Sequence, residues 1–209
     1  MRSWWQRTFL LPLIALRFLF RLREEGSVRL EGINGPVILV ANHHSYFDPF
    51  LIFCLLRKQT ELFPILPLAW RGLFFIPGLN LGLWAFGCIP VQTGKKLPLP
   101  KSLRRALSAL ANNQSIFVFP EAKRTRDPVI RTVRRGAPFL ALVTGTPLVP
   151  FAIIGTHSGI GLRALLKRPR VTVRIGTPFS FPREPQPSPE RIAEAAEEIR
   201  RRIAECQTA

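Results

Sequence analysis

A histidine and an aspartate five positions apart stand out among the residues that could do chemistry. His43 and Asp48 lie in the segment 41–50, which reads Ala-Asn-His-His-Ser-Tyr-Phe-Asp-Pro-Phe. A neutral imidazole can take a proton from a hydroxyl near pH 7, and a nearby carboxylate can orient the ring and stabilise the imidazolium. Because no serine or cysteine nucleophile is obvious near the pair, its simplest role is to activate a substrate's own hydroxyl. The alternative is structural, with Asp48 only capping a helix and His43 a satisfied loop histidine.

The elements on either side of the pair predict a strand-to-helix loop. Residues 36–41 are apolar and partly β-branched, which favours a short buried strand. Residues 49–56 favour a helix, with Asp48 at its N-cap and Pro49 in the first turn. Loops of this kind are where α/β folds place their chemistry.

A second strand-to-loop junction carries a concentration of positive charge. The predicted strand 115–119 is followed by Pro-Glu-Ala-Lys-Arg-Thr-Arg-Asp at 120–127, which places Lys123, Arg124 and Arg126 within four residues. A loop at the carboxyl end of a strand is well placed to hold a phosphate, which arginine grips with a planar fork. The alternative is a solvated basic loop.

The rest of the chain alternates strands and helices. Pro150 interrupts the strand at 148–154, which indicates an edge position or a strand start. The other predicted elements are a first strand at 28–32, an amphipathic helix at 99–112, a half-exposed strand at 171–175 and a closing helix capped by Ser188-Pro189-Glu190. This alternation predicts a single α/β domain with a mixed, mainly parallel sheet flanked by helices.

One long stretch, residues 72–94, has no charged residue and could suggest a membrane span. Glycines, prolines and an asparagine interrupt it repeatedly, which excludes a continuous helix. We therefore expect a core element together with an apolar surface or an acyl-chain wall.

The N-terminal segment and the overall charge both point to a membrane surface. Residues 1–23 carry five arginines and no acid, with Trp4 and Trp5 ahead of a nine-residue stretch without charge. A spanning helix needs about 20 apolar residues, so an amphipathic helix lying in the headgroup region fits better. The alternative is a helix packed on the protein's own core. We expect this membrane-associating helix at 1–23, followed by a catalytic or binding domain at 24–209.

Composition limits the class of partner. With 30 Lys and Arg against 13 acids, the net charge of +17 calls for an anionic partner, either nucleic acid or an acidic membrane. The absence of a recognisable nucleic-acid module and the long apolar stretches count against nucleic acid. Three scattered cysteines without metal-ligand spacing indicate small core residues in a reducing compartment. We expect a protein bound to the cytoplasmic face of a membrane.

Four sequence blocks in order resemble the glycerolipid acyltransferase family, whose members include 1-acyl-glycerol-3-phosphate acyltransferases. The first is Asn-His followed by four residues and Asp at 42–48, and the second is the Phe-Pro-Glu block at 119–125. The others are Arg-Arg-Gly at 134–136 and Val-Pro-x-x-Ile at 149–153. The resemblance runs from about Gly26 to Thr177, and it implies that the predicted domain at 24–209 is an acyltransferase domain.

The resemblance implies a reaction and a set of site residues. His43 would be the general base, Asp48 its orienting partner, Arg124 the binder of the acceptor's phosphate, and Glu121 a residue that shapes the loop. Lys123 would add charge where the acceptor head lies. The base would activate a lysolipid hydroxyl for direct attack on an acyl thioester, acyl-CoA or acyl-carrier protein. The resemblance implies no metal or other cofactor.

Two departures from the family pattern leave the acceptor open. Ala122 and Lys123 replace the usual Gly and Thr, and alanine is harder to place at positive φ. The arginine expected near Gln92 or Thr93 is absent, although Lys95 or Lys96 could substitute. A lysolipid other than 1-acyl-glycerol-3-phosphate therefore remains an alternative acceptor. A second alternative is a basic membrane-binding protein without catalysis.

Overall fold

The computed structural model describes residue 6 and residues 14–92, 101–156 and 168–208. Within these residues seven strands form one sheet. The strands are β1 (Leu22–Glu25), β2 (Ile38–Ala41), β3 (Ile65–Trp70), β4 (Ile89–Val91), β5 (Ser115–Val118), β6 (Leu148–Ile154) and β7 (Val171–Ile175). The helices are α1 (Ile14–Leu19), α2 (Asp48–Leu56), α3 (Leu79–Ala85), α4 (Lys101–Ala111), α5 (Gly136–Thr144) and α6 (Pro189–Thr208). Short 3₁₀ turns lie at Ser27–Leu30, Thr60–Leu62 and Arg71–Phe75.

The sheet has the order β1-β7-β6-β2-β5-β3-β4. Every neighbouring pair is parallel except β6 and β7, which are antiparallel. The predicted fold class, an α/β domain with a mixed, mainly parallel sheet, is confirmed.

Strand β2 lies at the centre of the sheet and is buried on both faces. Its residues alternate between two hydrophobic clusters: Leu39 and Ala41 pack with α2 on one face, and Ile38 and Val40 pack with α4, α5 and α6 on the other. A strand covered on both faces reads as a continuous apolar run, which is why the sequence signal at 36–41 is strong.

The register of the central strands brings three carboxyl ends to one edge of the sheet. Leu39 of β2 lies opposite Phe117 of β5 on one side and Val149 of β6 on the other. The loops after β2 and β5 therefore leave the same edge next to each other. This is the position at which open α/β sheets form their ligand sites.

The predicted first strand at 28–32 is wrong. The chain forms β1 at Leu22–Glu25 instead, turns at Gly26 with a φ of 83°, and continues into the 3₁₀ turn Ser27–Leu30. β1 pairs with β7 through its backbone, while its side chains alternate between half-buried and exposed. β1 is an edge strand with one apolar residue, Leu22, and three charged residues. The hydrophobic pattern of the sequence therefore did not indicate this strand.

The edge position predicted for β6 is also wrong, because β6 lies between β7 and β2. Gly176 donates its backbone N–H to the Pro150 carbonyl at 2.8 Å. The N and O of one residue point to the same side of a strand, so the donor that proline lacks would face β7. β7 ends at Ile175, which lies opposite Phe151. Pro150 is therefore just beyond the paired residues of β6 and β7, where a backbone donor is not needed.

Several other predicted elements agree closely with the structure. The predicted strand at 171–175 matches β7, and the predicted amphipathic helix overlaps α4 at Lys101–Ala111. Ser188 accepts the N–H of Arg191 at its Oγ, 3.2 Å away, and so caps α6 as expected. Helix α2 begins at Asp48 itself, with Phe47 in the N-cap position, so Asp48 is not the cap that the sequence suggested.

The described part of the uncharged stretch 72–94 contains most of a 3₁₀ turn, α3 and β4, and so it is not a continuous helix. Within the described residues every helix is too short or too polar to cross a bilayer. The predicted helix at 1–23 lies mostly outside the described residues. Its described part holds the buried Gln6, α1 and the fully buried Phe20, and β1 spans the predicted boundary at 23 and 24.

Candidate active site

The imidazole of His43 and the carboxylate of Asp48 are in contact. His43 Nδ1 lies 3.0 Å from Asp48 Oδ2. The Asp48 side chain is fully buried, and the His43 side chain retains 17% of its exposure. The carboxylate holds the ring at Nδ1, and part of the ring is open to solvent. Such an imidazole can exchange a proton with a ligand while keeping its orientation.

Asp48 also organises the loop that carries the histidine. Its Oδ2 accepts the backbone N–H of His44 at 2.6 Å and of Ser45 at 2.7 Å. Since this oxygen already accepts two N–H groups, we assign the proton of the His43 contact to Nδ1, which leaves the lone pair on Nε2. The second oxygen, Oδ1, is buried without a hydrogen-bond partner among the described residues.

An aromatic ring supports the face of the imidazole. The rings of His43 and Phe119 are stacked, with centroids 3.9 Å apart and planes inclined by 14°. Phe119 directly follows β5, so the neighbouring strand supplies this support. The stack and the carboxylate together limit the rotation of the imidazole.

Two further polar residues tie the histidine loop to its surroundings. Asn42 exchanges two hydrogen bonds with the backbone of Ile153 in β6, at 2.8 and 2.7 Å. His44 places Nε2 2.7 Å from the Asn42 amide nitrogen and Nδ1 2.9 Å from the Thr125 carbonyl. His44 is buried and acts as a spacer between the two loops.

The loop at 119–127 is attached directly to the backbone of His43. Thr125 donates its N–H to the His43 carbonyl at 3.0 Å, and Glu121 Oε2 accepts the His43 N–H at 3.0 Å. The Pro120 carbonyl accepts the N–H of Arg134 at 2.8 Å, which joins the loop to the segment before α5. The two regions that the sequence singled out are thus parts of one site.

Glu121 is a buried carboxyl beside the catalytic candidates. Burial is the main reason that its pKa is raised from the ordinary value of 4.5 to about 7, and the negative charges of Asp127 and Asp48 contribute to the same rise. The hydrogen bond from the His43 N–H acts in the opposite direction. The carboxyl therefore changes its protonation state near neutral pH.

Ala122 adopts the backbone conformation that its side chain disfavours. Its φ is 61°, in the left-handed region, and its N–H donates to the Phe119 carbonyl at 3.1 Å. The family's glycine would adopt this turn without a steric penalty. The substitution has left the conformation of the loop in place at some cost in stability.

The cationic side chains of this loop face solvent. Lys123, Arg124 and Arg126 are all exposed. The Arg124 guanidinium lies over the ring of Tyr46, 3.5 Å from the ring centroid. Tyr46 belongs to the histidine loop, so a contact across the two loops orients the arginine that was expected to bind phosphate.

Sequence reasoning identified His43, Asp48, Glu121, Lys123 and Arg124, and the structure places all of them at one edge of the sheet. It did not assign functions to Phe119, His44 or Tyr46. Phe119 and Tyr46 lie inside the two sequence motifs. An aromatic residue within such a motif could therefore have been predicted to contact a site residue. Lys95 and Lys96, proposed as substitutes for a missing arginine, lie outside the described residues.

A partly exposed histidine held by a buried aspartate lies next to a loop of exposed cations, at the carboxyl edge of a mainly parallel sheet. This arrangement is able to deprotonate a hydroxyl beside an anion. A family model described as Acyltransferase matches residues 21–154, more than half of the chain. The protein therefore belongs to the acyltransferase family, as the sequence resemblance predicted.

Two sequence relatives carry the same enzyme name. The chain is 26% identical over 162 residues to the chloroplast 1-acyl-sn-glycerol-3-phosphate acyltransferase LPAT1 of Arabidopsis thaliana, covering 77% of this chain and 44% of that protein. It is 31% identical over 122 residues to the 1-acyl-sn-glycerol-3-phosphate acyltransferase of Borreliella burgdorferi, covering 58% and 47%. The chain spans about half the length of the curated relatives it matches.

A solved structure shows the same fold. The 1-acyl-sn-glycerophosphate acyltransferase PlsC of Thermotoga maritima aligns with a TM-score of 0.67 and 23% identity, covering all of this chain and 84% of that one. This likeness supports the fold.

Proposed function

We propose that the protein transfers a fatty acyl chain from an acyl thioester to the free hydroxyl of a lysolipid. The acceptor would be 1-acyl-glycerol-3-phosphate and the product phosphatidic acid. The observation that carries this proposal is the His43 Nδ1 to Asp48 Oδ2 contact of 3.0 Å, held beside the cationic loop by direct backbone hydrogen bonds. The names of the sequence relatives support the choice of acceptor.

The chemistry follows from the assigned tautomer. Nε2 of His43 takes the proton of the acceptor hydroxyl as its oxygen attacks the thioester carbonyl. The carbon–sulfur bond then breaks, an ester forms, and the proton passes from Nε2 to the leaving thiolate. Asp48 stabilises the imidazolium between these two steps. General-base assistance of this kind is typically worth about 10² to 10⁴ in rate.

The cationic loop supplies the acceptor's binding energy. Arg124 directly precedes Thr125, whose N–H is bonded to the His43 carbonyl, so a phosphate gripped by Arg124 lies close to the base. Lys123 adds a second positive charge next to it. A phosphate monoester carries close to two negative charges at neutral pH and matches both cations.

The donor and the location complete the proposal. Acyl-CoA and acyl-carrier protein both present a thioester to the base, and both are anionic partners for a chain with a net charge of +17. The acceptor is a membrane lipid, so the protein would work at an anionic membrane surface, on its cytoplasmic face.

The experiment that tests the proposal measures thiol release from acyl-CoA by the full-length protein in mixed vesicles. A panel of lysolipids is compared, and His43→Ala is assayed beside the wild type, with its thermal unfolding measured to verify folding. We expect release that requires 1-acyl-glycerol-3-phosphate and falls by about 10² or more in the variant.

Other outcomes have defined meanings. Release that requires a different lysolipid would replace the acceptor and keep the reaction. Release that persists in a folded His43→Ala variant would contradict the general-base role. If neither acyl-CoA nor acyl-carrier protein supports release with any lysolipid, the protein does not catalyse this transfer.

A further inference from the structure

A group of large apolar side chains after β3 faces solvent. We call Trp70, Phe75, Ile76, Leu79, Leu81 and Trp84 the apolar rim. Phe75 is 70% exposed and Leu81 is 71% exposed, while the indoles of Trp70 and Trp84 retain 58% and 53%. Large exposed apolar side chains concentrated within one short segment point to an interaction site on a folded protein.

Packing beneath the rim holds these side chains outward. The indole of Trp70 lies so close to Gly72 that a Cβ on that residue would come within 2.2 Å of the ring. Phe74, which is buried, meets Trp84 edge to face with ring centroids 4.9 Å apart. The rim side chains are therefore exposed although the segment that carries them is packed against the protein.

The rim lies at the same edge of the sheet as the candidate active site. β3 and β2 are the two parallel neighbours of β5, with Pro67 and Leu39 both opposite Phe117. Trp70 is three residues beyond Pro67, and Asn42 is three residues beyond Leu39, so both lie at the same height. At a strand spacing of about 4.8 Å, the rim begins roughly 10 Å to the side of the histidine loop.

The charges and residue types around the rim favour a lipid surface over a protein partner. Arg71 lies over the ring of Phe75, 5.7 Å from its centroid, and Lys123, Arg124 and Arg126 are exposed at the same edge. Tryptophan next to arginine is the composition that segments lying in a membrane interface adopt. Anionic headgroups would complement the cations while the rim enters the acyl region beneath them.

One residue of the N-terminal segment, Gln6, lies against the element that carries the rim. Gln6 is buried, and its Nε2 donates to the Phe86 carbonyl at 2.7 Å and to the Ile65 carbonyl at 3.3 Å. Phe86 directly follows α3, which carries half of the rim. Gln6, which belongs to the segment predicted to lie on a membrane, is thus attached beside the rim.

We propose that the apolar rim inserts into an anionic bilayer as a second membrane contact, independent of residues 1–23, and holds the site at the interface. A lysolipid then reaches His43 laterally from the membrane. The inference deepens the proposed function, on which it rests for the choice of a lipid as substrate. Its direct consequence is that binding to vesicles depends on residues of the folded domain.

The test compares variants of the full chain on vesicles of phosphatidylcholine and phosphatidylglycerol in equal parts. The double variant Phe75→Ser/Leu81→Ser removes the two most exposed rim side chains, whose loss does not open the core. We expect its partition coefficient to fall about tenfold or more. The control is Val28→Ser, 65% exposed beyond the carboxyl end of β1, at the opposite edge of the sheet. Its binding should be unchanged.

Depth and oligomeric state are measured on the same proteins. In a Trp4→Phe/Trp5→Phe background, fluorescence comes from Trp70 and Trp84 alone, and brominated lipids should quench it in bound protein. Bound protein without quenching would overturn the proposal. So would rim variants that bind vesicles normally but shift from dimer to monomer in sedimentation velocity, since the rim would then be an interface between copies.

Activity separates this inference from the proposed function. With a short-chain lysolipid dissolved below its micelle concentration, the rim variant should match the wild type, whereas with a vesicle-embedded acceptor it should be slower. Equal slowing on both acceptors would contradict a docking role. If the wild type were inactive on both acceptors, the proposed function would be contradicted. The vesicle-binding measurements would then still test whether the rim contacts a membrane.

Discussion

The guanidinium of Arg124 rests on the ring of Tyr46 at 3.5 Å from the centroid, although the two residues are 78 positions apart in sequence. One residue belongs to the loop after β2 and the other to the loop after β5. The contact therefore positions a cation of one loop relative to the other loop, which carries His43. Its contribution to acceptor binding can be measured separately from that of the charge.

Replacing Tyr46 tests the contribution of the ring. Tyr46→Leu should raise the acceptor's KM about two- to fivefold, because a cation–π contact at an exposed site is worth about 0.5–1 kcal/mol. Tyr46→Phe keeps the ring and should behave like the wild type. Steady-state kinetics with the acceptor varied at a saturating donor concentration would check this. If the phenylalanine variant were impaired as much as the leucine variant, the hydroxyl and not the ring would matter.

Replacing Arg124 tests the proposed phosphate contact. Arg124→Ala should raise the acceptor's KM about ten- to hundredfold, since a charge-assisted hydrogen bond is worth about 1.5–3 kcal/mol. The donor's KM should change far less. Arg126→Ala is the matched control, because it removes the same charge from the same exposed loop. Equal effects of Arg124→Ala on both substrates would contradict the role in acceptor binding.

Glu121 predicts a pH dependence of stability. Its pKa is raised to about 7 in the folded protein, so folding binds a proton that the unfolded chain releases above about 4.5. The stabilisation is fully present below about pH 4.5. It is lost as the pH rises from there through about 7, and the total loss is roughly 3 kcal/mol. Glu121→Gln cannot ionise, and its amide oxygen can still accept the His43 N–H.

Chemical unfolding of both proteins between pH 5 and pH 8 would measure this effect. The free energy of unfolding of the wild type, relative to that of Glu121→Gln, should decrease from pH 5 to about pH 7 and level off towards pH 8. A difference that does not change with pH would show that the carboxyl does not take up a proton on folding.

Ala122 predicts a stabilising substitution. Ala122→Gly should raise the free energy of unfolding by about 0.5–1 kcal/mol, because glycine removes the steric cost of a φ of 61° and loses part of the gain to chain entropy. Ala193→Gly, at an exposed position inside α6, is the control and should lower stability by about the same amount. If Ala122→Gly were destabilised as well as Ala193→Gly, the backbone at Ala122 would not be strained.

Sequence patterns predicted the buried elements well and the edges poorly. β2 is apolar throughout because both of its faces are covered, so its signal is strong. β1 is held by backbone hydrogen bonds to β7 and contains three charged residues, which no hydrophobic period can detect. Pro150 suggested an edge because a missing donor is costly inside a sheet, yet the donor is missing where its partner strand ends.

At the site, the sequence indicated which residues meet but not how they are held. The spacing of His43 and Asp48 follows from a single loop and was readable from the motif. The hydrogen bond between Thr125 and His43 and the stack of Phe119 on His43 join segments about 80 positions apart. Such contacts depend on the register of β2 against β5, which hydrophobic pattern alone does not determine.

The pairing of β1 with β7 sets a limit on how the protein can be engineered for work in solution. Deleting residues 1–23 to release it from membranes would remove the buried Phe20 and the first half of β1 along with the predicted anchor. The loss would expose the flank of β7 and a part of the core, and the truncated chain would tend to aggregate. A soluble version is better made by polar substitutions at exposed positions, with the N-terminal residues left intact.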